Sequence, residues 1–335
     1  MALLKSEIRL ANLRSRLPVF ACLLLASLLP SPAPAADDPP PYRLAADPVF
    51  DKARGVWRYE VDSPFQHKPN AVEVLLPDDF DPKAARDAGK AYRVLYVLPV
   101  EAAPGRAWGD GLQEVRKAGA HNRHRLICVA PAFDALPWYD DHPTDPKVRH
   151  ETYLKRAVVP LIESRYPTPG TREGRLLLGF SKSGWGAFSL ILRDPDFWGY
   201  AASWDAPLML DGADLGVFGT GPAFGTRENF ERYLPTRLAE RQAGAFRDRP
   251  RLVLAGTANF GPEPAGRFKD HPHTAAFHDK LARLGVRHVY RNDLAVRHHW
   301  ESGWVKPVVD ALAELAGAPA TQPATRPATR PTTRE

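Results

Sequence analysis

The spacing of apolar and polar residues along the chain changes character several times. "GVWRYEVDSP" and "NAVEVLLPDD" alternate with period two, as half-buried strands do. "YRVLYVLPV" is short and almost wholly apolar, the pattern of a strand covered on both faces. "HRLICVAPAF", "GRLLLGF", "GYAASWDAPL", "RPRLVLAGTANF" and "VRHVYRNDLAV" follow as further strands. Between them, "ETYLKRAVVPLIESRY", "GWGAFSLILRD", "TAAFHDKLARLG" and "WVKPVVDALAELA" place apolar residues at helical spacing. Pro160, inside the first of these, lacks an N–H and is expected to kink it. Strands alternating with helices predict an α/β architecture, a mostly parallel sheet with helices on both faces. No repeat or linker divides residues 40–316, so one domain is expected there. The stretch 211–247 has no strand character and is expected to lie over one edge of the sheet.

The two ends read differently. Basic residues as far as Arg16 precede the apolar run "LPVFACLLLASLLP" and the small residues Ala33 and Ala35. This order predicts a secretory signal peptide over residues 1–35, hence a periplasmic or extracellular protein. The run is shorter than the roughly 20 residues of a membrane span, so no stable membrane insertion is expected after cleavage. From residue 317 onward, "APATQPATRPATRPTTRE" holds no large apolar residue to bury and reads as a disordered tail. The domain expected between these ends is 36–316.

Composition adds two exclusions. The net charge of +6 is concentrated at the ends. Lys5, Arg9, Arg14 and Arg16 stand against Glu7, and Arg326, Arg330 and Arg334 against Glu335. The nearly neutral remainder gives no basic footprint for nucleic acid. Cys22 and Cys128 are the only cysteines. With Cys22 in the leader, no internal disulfide is possible, and Cys128 in "RLICVAP" reads as a small core residue.

Candidate chemistry centres on "LLLGFSKSGWGAF", 176–188. A strand running into a sharp turn of small residues and then a helix is the nucleophile elbow of α/β-hydrolases. Ser181 stands at the apex; Gly179, Ser183, Gly184 and Gly186 are the small neighbours. The start of the following helix favours a developing oxyanion. Alternatively, Ser181 or Ser183 merely caps that helix. "RHHW" follows the last strand, where the chain order serine, acid, histidine places the base.

Residues from about 92 to 315 resemble the esterase D family of α/β-hydrolases. The resemblance rests on "YRVLYVLP", "ETYLKRAVVPLIESRYP", "GFSKSGWGAFSLILRDPDFWGYAASW" and "HHWESGW". It implies the α/β-hydrolase fold and serine carboxylic-ester hydrolysis through an acyl-enzyme, with no cofactor or metal. Ser181 matches the nucleophile. The backbone N–H of Lys182 would form half of the oxyanion hole, and that of Val100 or Glu101 the other half. The family's histidine precedes a tryptophan by five positions, which selects His299 with Trp304; His298 would then orient its neighbour or face solvent. Trp138, Tyr139 and Asp140 would line the rim of the substrate pocket. Trp185, His150 and Tyr153 read as scaffold. A zinc reading of His271 and His273 would want a further ligand at helical spacing, for which His278 is only a weak match.

Two departures bear on activity. Pro99 and Val100 stand where the family has His-Gly, and a carboxylate at Glu101 would oppose an oxyanion if it faced one. Asn259 stands where the catalytic Asp is expected, and Asp-to-Asn in a triad costs on the order of 10⁴ in rate. Asp205, at the end of the preceding strand, is expected to be the replacement acid, the alternative being that it caps a turn before Pro207; Glu263 and Asp270 are in reserve. The expected substrate is a small-molecule or carbohydrate-linked ester. The alternatives are a binding protein on a hydrolase fold that has lost turnover, or acyl transfer to a sugar.

Overall fold

The computed structural model describes residues 41–256 and 272–317. The predicted leader and tail, together with Asn259, Glu263, Asp270 and His271, lie outside the described residues. Ten strands form one sheet: β1 (Arg43–Leu44), β2 (Val49–Asp51), β3 (Val56–Asp62), β4 (Asn70–Leu75), β5 (Val94–Val97), β6 (Ile127–Pro131), β7 (Arg175–Phe180), β8 (Tyr200–Trp204), β9 (Leu252–Ala255) and β10 (His288–Arg291). Their order across the sheet is β1-β3-β4-β6-β5-β7-β8-β9-β10, with β2 paired to β3. From β6 to β10 all neighbours are parallel; β1 to β4 join antiparallel at one side. Each of the eight strands expected from the apolar pattern is present.

The central strands show why the apolar runs were needed. On β7, Leu176, Leu178 and Phe180 face one layer of the core and Leu177 the other. The first layer is closed by the helices α1 (Gly111–Lys117) and α4 (Val305–Ala316), through Leu112, Val115, Val308 and Leu312. The second is closed by α2 (Lys182–Arg193), α3 (His273–Arg283) and the helical run beginning at His150, through Phe188, Phe277 and Leu161. With both faces covered, β7 has no solvent side on which polar alternation could appear.

Two local expectations change. Ahead of Pro160 the helix opens into a π-turn, Leu154–Val158, and Val159 N–H bonds the carbonyl of Leu154 five residues back. The helix thus absorbs the proline by widening one turn. The stretch 211–247 is helical and lies against α2, not over a sheet edge. Phe224 and Phe230 pack on Trp185 at 5.7 and 6.4 Å between ring centroids. It is the crossover between neighbouring parallel strands β8 and β9, and a right-handed crossover must pass over a face of the sheet.

Candidate active site

β7 ends in a turn that few residues adopt. Ser181 has φ 54° and ψ −125°, a conformation costing about 1–3 kcal/mol that persists only when the surroundings enforce it. The surroundings are specific. Ser181 N–H donates to the carbonyl of Trp204 at 2.9 Å, and its own carbonyl accepts from Trp185 N–H at 3.0 Å. Ser183, fully buried, clasps the turn: its hydroxyl accepts from Phe180 N–H and donates to Phe180 C=O, each at 2.9 Å. This is the position where the elbow pattern has glycine, and the serine supplies an added tie. Gly179 has no substitute, because a Cβ there would sit 2.1 Å from the Ser183 carbonyl oxygen. Ser181 makes no side-chain cap bond, so the helix-capping alternative is not realised.

On the neighbouring strand, Asp205 follows the last residue of β8 and also has positive φ, 48°. Its N–H is held by Ala255 C=O at 3.0 Å, and its carboxylate is almost wholly buried. Oδ2 meets His298 Nδ1 at 3.3 Å. An ionised carboxylate only accepts, so Nδ1 carries the proton and Nε2 is the basic nitrogen. The imidazole lies 4.5 Å from the Phe180 ring, next in sequence to Ser181, stacks over Trp204 at 6.1 Å and meets the edge of Trp108 at 5.7 Å.

The choice of His299 as base does not match this geometry. His299 has extended backbone, φ −163° and ψ 147°, so its side chain points away from that of its neighbour, and only one of the two can face Asp205. His299 Nδ1 instead accepts from Glu301 N–H at 3.2 Å. The five-residue spacing to Trp304 has a backbone meaning: the indole N–H donates to the carbonyl of His299 at 3.0 Å.

The N–H groups expected to form the oxyanion hole lie after β5 and at the start of α2. Among the described residues, none accepts from the backbone N–H of Val100, Glu101 or Lys182. The Glu101 carboxylate turns toward the following loop and accepts from Trp108 N–H at 3.3 Å. Burial pushes the Lys182 ammonium down from its ordinary pKa, and Glu101 pulls it part of the way back, so the two charges are coupled. A cavity of about 360 Å³ is bounded by Pro99, Val100 and Glu101, with Asn70, Arg106 and Trp300 among its other walls; Ser181 and His298 do not line it.

Trp138, Tyr139 and Asp140 do not form a pocket rim, because all three are fully buried. Trp138 packs edge-on against Trp185 at 5.2 Å. The Tyr139 phenol donates to Pro99 C=O at 2.5 Å. Asp140 faces His150 at 3.7 Å, and burial pushes its carboxyl up. The helices of 211–247 supply the apolar wall that draws this loop inward, and their placement was invisible in the local sequence. Trp108 was not singled out, yet it is 42% exposed beside His298. His273 and His278 serve separate partners, Met209 N–H and His288. Among the described residues no cluster of three metal-ligating side chains occurs, and no helix is long and apolar enough to cross a membrane.

The sequence profile of a family described as "putative esterase" matches residues 67–315. Esterase Rv1288 and Esterase MT1326, from two strains of Mycobacterium tuberculosis, are each 24% identical over 262 residues, covering 70% of this chain and 53% of theirs. The chain therefore spans about half the length of these curated relatives. The S-formylglutathione hydrolase FrmB of Staphylococcus aureus superimposes with a TM-score of 0.58 at 15% identity, over 81% of this chain and 100% of that one. An S-formylglutathione hydrolase of Agrobacterium tumefaciens gives 0.57 at 16%, over 81% and 98%. MPT51 of M. tuberculosis gives 0.56 at 17%, over 82% and 100%. At such identities the likeness is one of fold, the α/β-hydrolase fold.

Proposed function

This chain belongs to the putative esterase family, and we propose that it is an exported serine hydrolase of carboxylic esters. The observation that carries the reading is the strained Ser181 just after β7, one strand from an Asp205 carboxylate bonded to His298. A nucleophile, an orienting acid and a base in that chain order are the parts such chemistry needs. Asp205 thus takes the role that Asn259 lacks the charge to fill.

The reaction runs in two halves. Ser181 Oγ bonds the ester carbonyl carbon as its proton passes to His298 Nε2, and the carbonyl electron pair moves onto oxygen. The N–H groups of Lys182 and of Val100 or Glu101 stabilise that oxyanion. Collapse expels the alcohol, which takes the proton from His298 and leaves Ser181 acylated. Water then attacks the acyl carbon, His298 again relays the proton, and the acid leaves with Ser181 restored.

Substrate class and location complete the proposal. Carbohydrate-linked esters are supported by the export reading and by the cavity beside Val100 and Glu101, which has Asn70, Glu73 and Arg106 among its polar walls. Export rests on the basic, apolar and small-residue order of residues 1–35. The test is turnover of p-nitrophenyl acetate and labelling of Ser181 by a fluorophosphonate, compared with Ser181→Ala. The variant is expected to lose turnover by about 10⁶ and to remain unlabelled. Equal turnover by both proteins, with no label on Ser181, overturns the proposal.

A further inference from the structure

The phenol of Tyr139 reaches the one stretch of backbone on which an oxyanion hole here depends. The residue is fully buried, so it cannot touch substrate, and it is held at φ 62°, a region uncommon for an aromatic residue. Its ring lies against α2 so closely that a Cβ at Gly186 would sit 2.1 Å from Tyr139 Cδ2. Phe133 meets the ring edge-on at 5.5 Å. From this braced position the hydroxyl donates to Pro99 C=O at 2.5 Å.

That carbonyl and the N–H of Val100 belong to a single peptide plane. The peptide is trans, so the N–H points opposite to the C=O, and fixing one direction fixes the other. A carbonyl that accepts a hydrogen bond also makes its own N–H a stronger donor. Val100 N–H and Glu101 N–H have no acceptor among the described residues, although Val100 is buried. Pro99 and Val100, which stand where the resembled family has His-Gly, contribute no polar anchor of their own. Through its ring the same tyrosine touches α2, whose first N–H, that of Lys182, is the other half of the hole.

We propose that Tyr139 is a positioning residue for catalysis, one that orients and polarises the Pro99–Val100 peptide and couples its placement to the nucleophile helix. The proposal rests on the serine-esterase reading of Ser181. Burial pushes the phenol's pKa well above its ordinary value, so the hydroxyl remains a donor through the working pH range.

The test is Tyr139→Phe, which keeps the ring and removes the hydroxyl. Wild type and variant are compared on p-nitrophenyl acetate and on the matching thionoester, whose sulfur accepts hydrogen bonds poorly and so draws little from the hole. Loss of a whole oxyanion donor costs about 10²–10³ in kcat, and loosening one is expected to cost about tenfold, with KM within about twofold. The rate ratio of oxoester to thionoester is expected to shrink by about the same tenfold factor. Gly186→Ala, which displaces the ring without deleting the hydroxyl, is expected to shrink the ratio likewise and provides the reading if Tyr139→Phe does not fold. An active wild type with an unchanged ratio in these variants overturns the proposal, whether or not kcat or thermal stability falls. A wild type that neither turns over nor labels at Ser181 overturns the esterase reading instead, and this one with it.

Discussion

The two ends of the parallel strands meet their polar groups in opposite ways. At the N-terminal ends, arginines fill the backbone's needs. Arg93, just before β5, donates to the carbonyls of Glu173 and Gly317 at 3.2 and 2.6 Å. Arg175, opening β7, grips the Glu163 carboxylate at 2.7 and 3.0 Å and reaches Phe197 C=O. Arg251, before β9, is buried and donates to three carbonyls, those of Pro195, Trp198 and Gly199. Burial lowers its guanidinium pKa to about 10, which still leaves it charged near neutral pH. At the C-terminal ends, Ser181, Asp205 and Tyr139 hold positive φ, Asp205 Oδ1 is buried with no partner among the described residues, and the N–H groups of Val100, Glu101 and Lys182 go unaccepted there. Among the described residues, one end has arginines meeting its backbone carbonyls; the other keeps strain and unmet donors, as the proposed site requires. Stability and reactivity are therefore separable along a single strand, within about 20 Å.

Substitution at each end should expose that separation. The largest effect is expected from His298→Ala, which should lower kcat by about 10⁶, whereas His299→Ala should stay within about tenfold. Steady-state kinetics of the pair decide which imidazole is the base; the reverse ranking would return the role to His299. Asp205→Asn keeps the shape and removes the charge, and should cost about 10⁴ in kcat with little change in thermal midpoint. At the other end, Arg251→Met strands three carbonyls and should destabilise by about 3 kcal/mol, visible in urea unfolding, with kcat per folded molecule unchanged. A large fall in kcat there would break the separation.

The smallest effect is expected at Asp310, on α4. Burial opposes its ionisation, but bonds from His124, Lys306 and Arg123 outweigh that and hold the carboxyl at about 2. A depressed folded pKa contributes stability that is complete above the unfolded carboxylate range and is lost as pH falls through the folded value. Between about pH 4 and pH 2 the wild type should thus lose its advantage over Asp310→Asn in thermal midpoint, modestly and less so at high salt. An unchanging gap across that window would show the cluster to be without effect.

The strands, the main helices and the elbow were legible because each is local. An apolar run of strand length, or a Gly–Phe–Ser–Lys–Ser turn between a strand and a helix, carries its signal within a dozen residues. That Asp205 would stand beside the elbow was also within reach, since it follows the strand paired with β7. The loop of Trp138, Tyr139 and Asp140 was misread because its surroundings come from elsewhere: Trp185 on α2, Phe224 in the crossover and His150 on another helix. Local polarity at "WYDD" resembles a rim, while burial depends on what arrives to cover it.

The pair of adjacent histidines marks the boundary most sharply. The amino-acid order by itself determined that Ser181, Asp205 and the two histidines would emerge at the same edge of a parallel sheet, since strand direction and chain order leave no other edge available. It also narrowed the proposed base to two adjacent imidazoles. Which imidazole meets Asp205 depends on side-chain direction in extended backbone, where a shift of one residue exchanges the two faces. That direction is set by packing of His298 among Phe180, Trp204 and Trp108, residues from three separate segments, and only the tertiary structure assembles them.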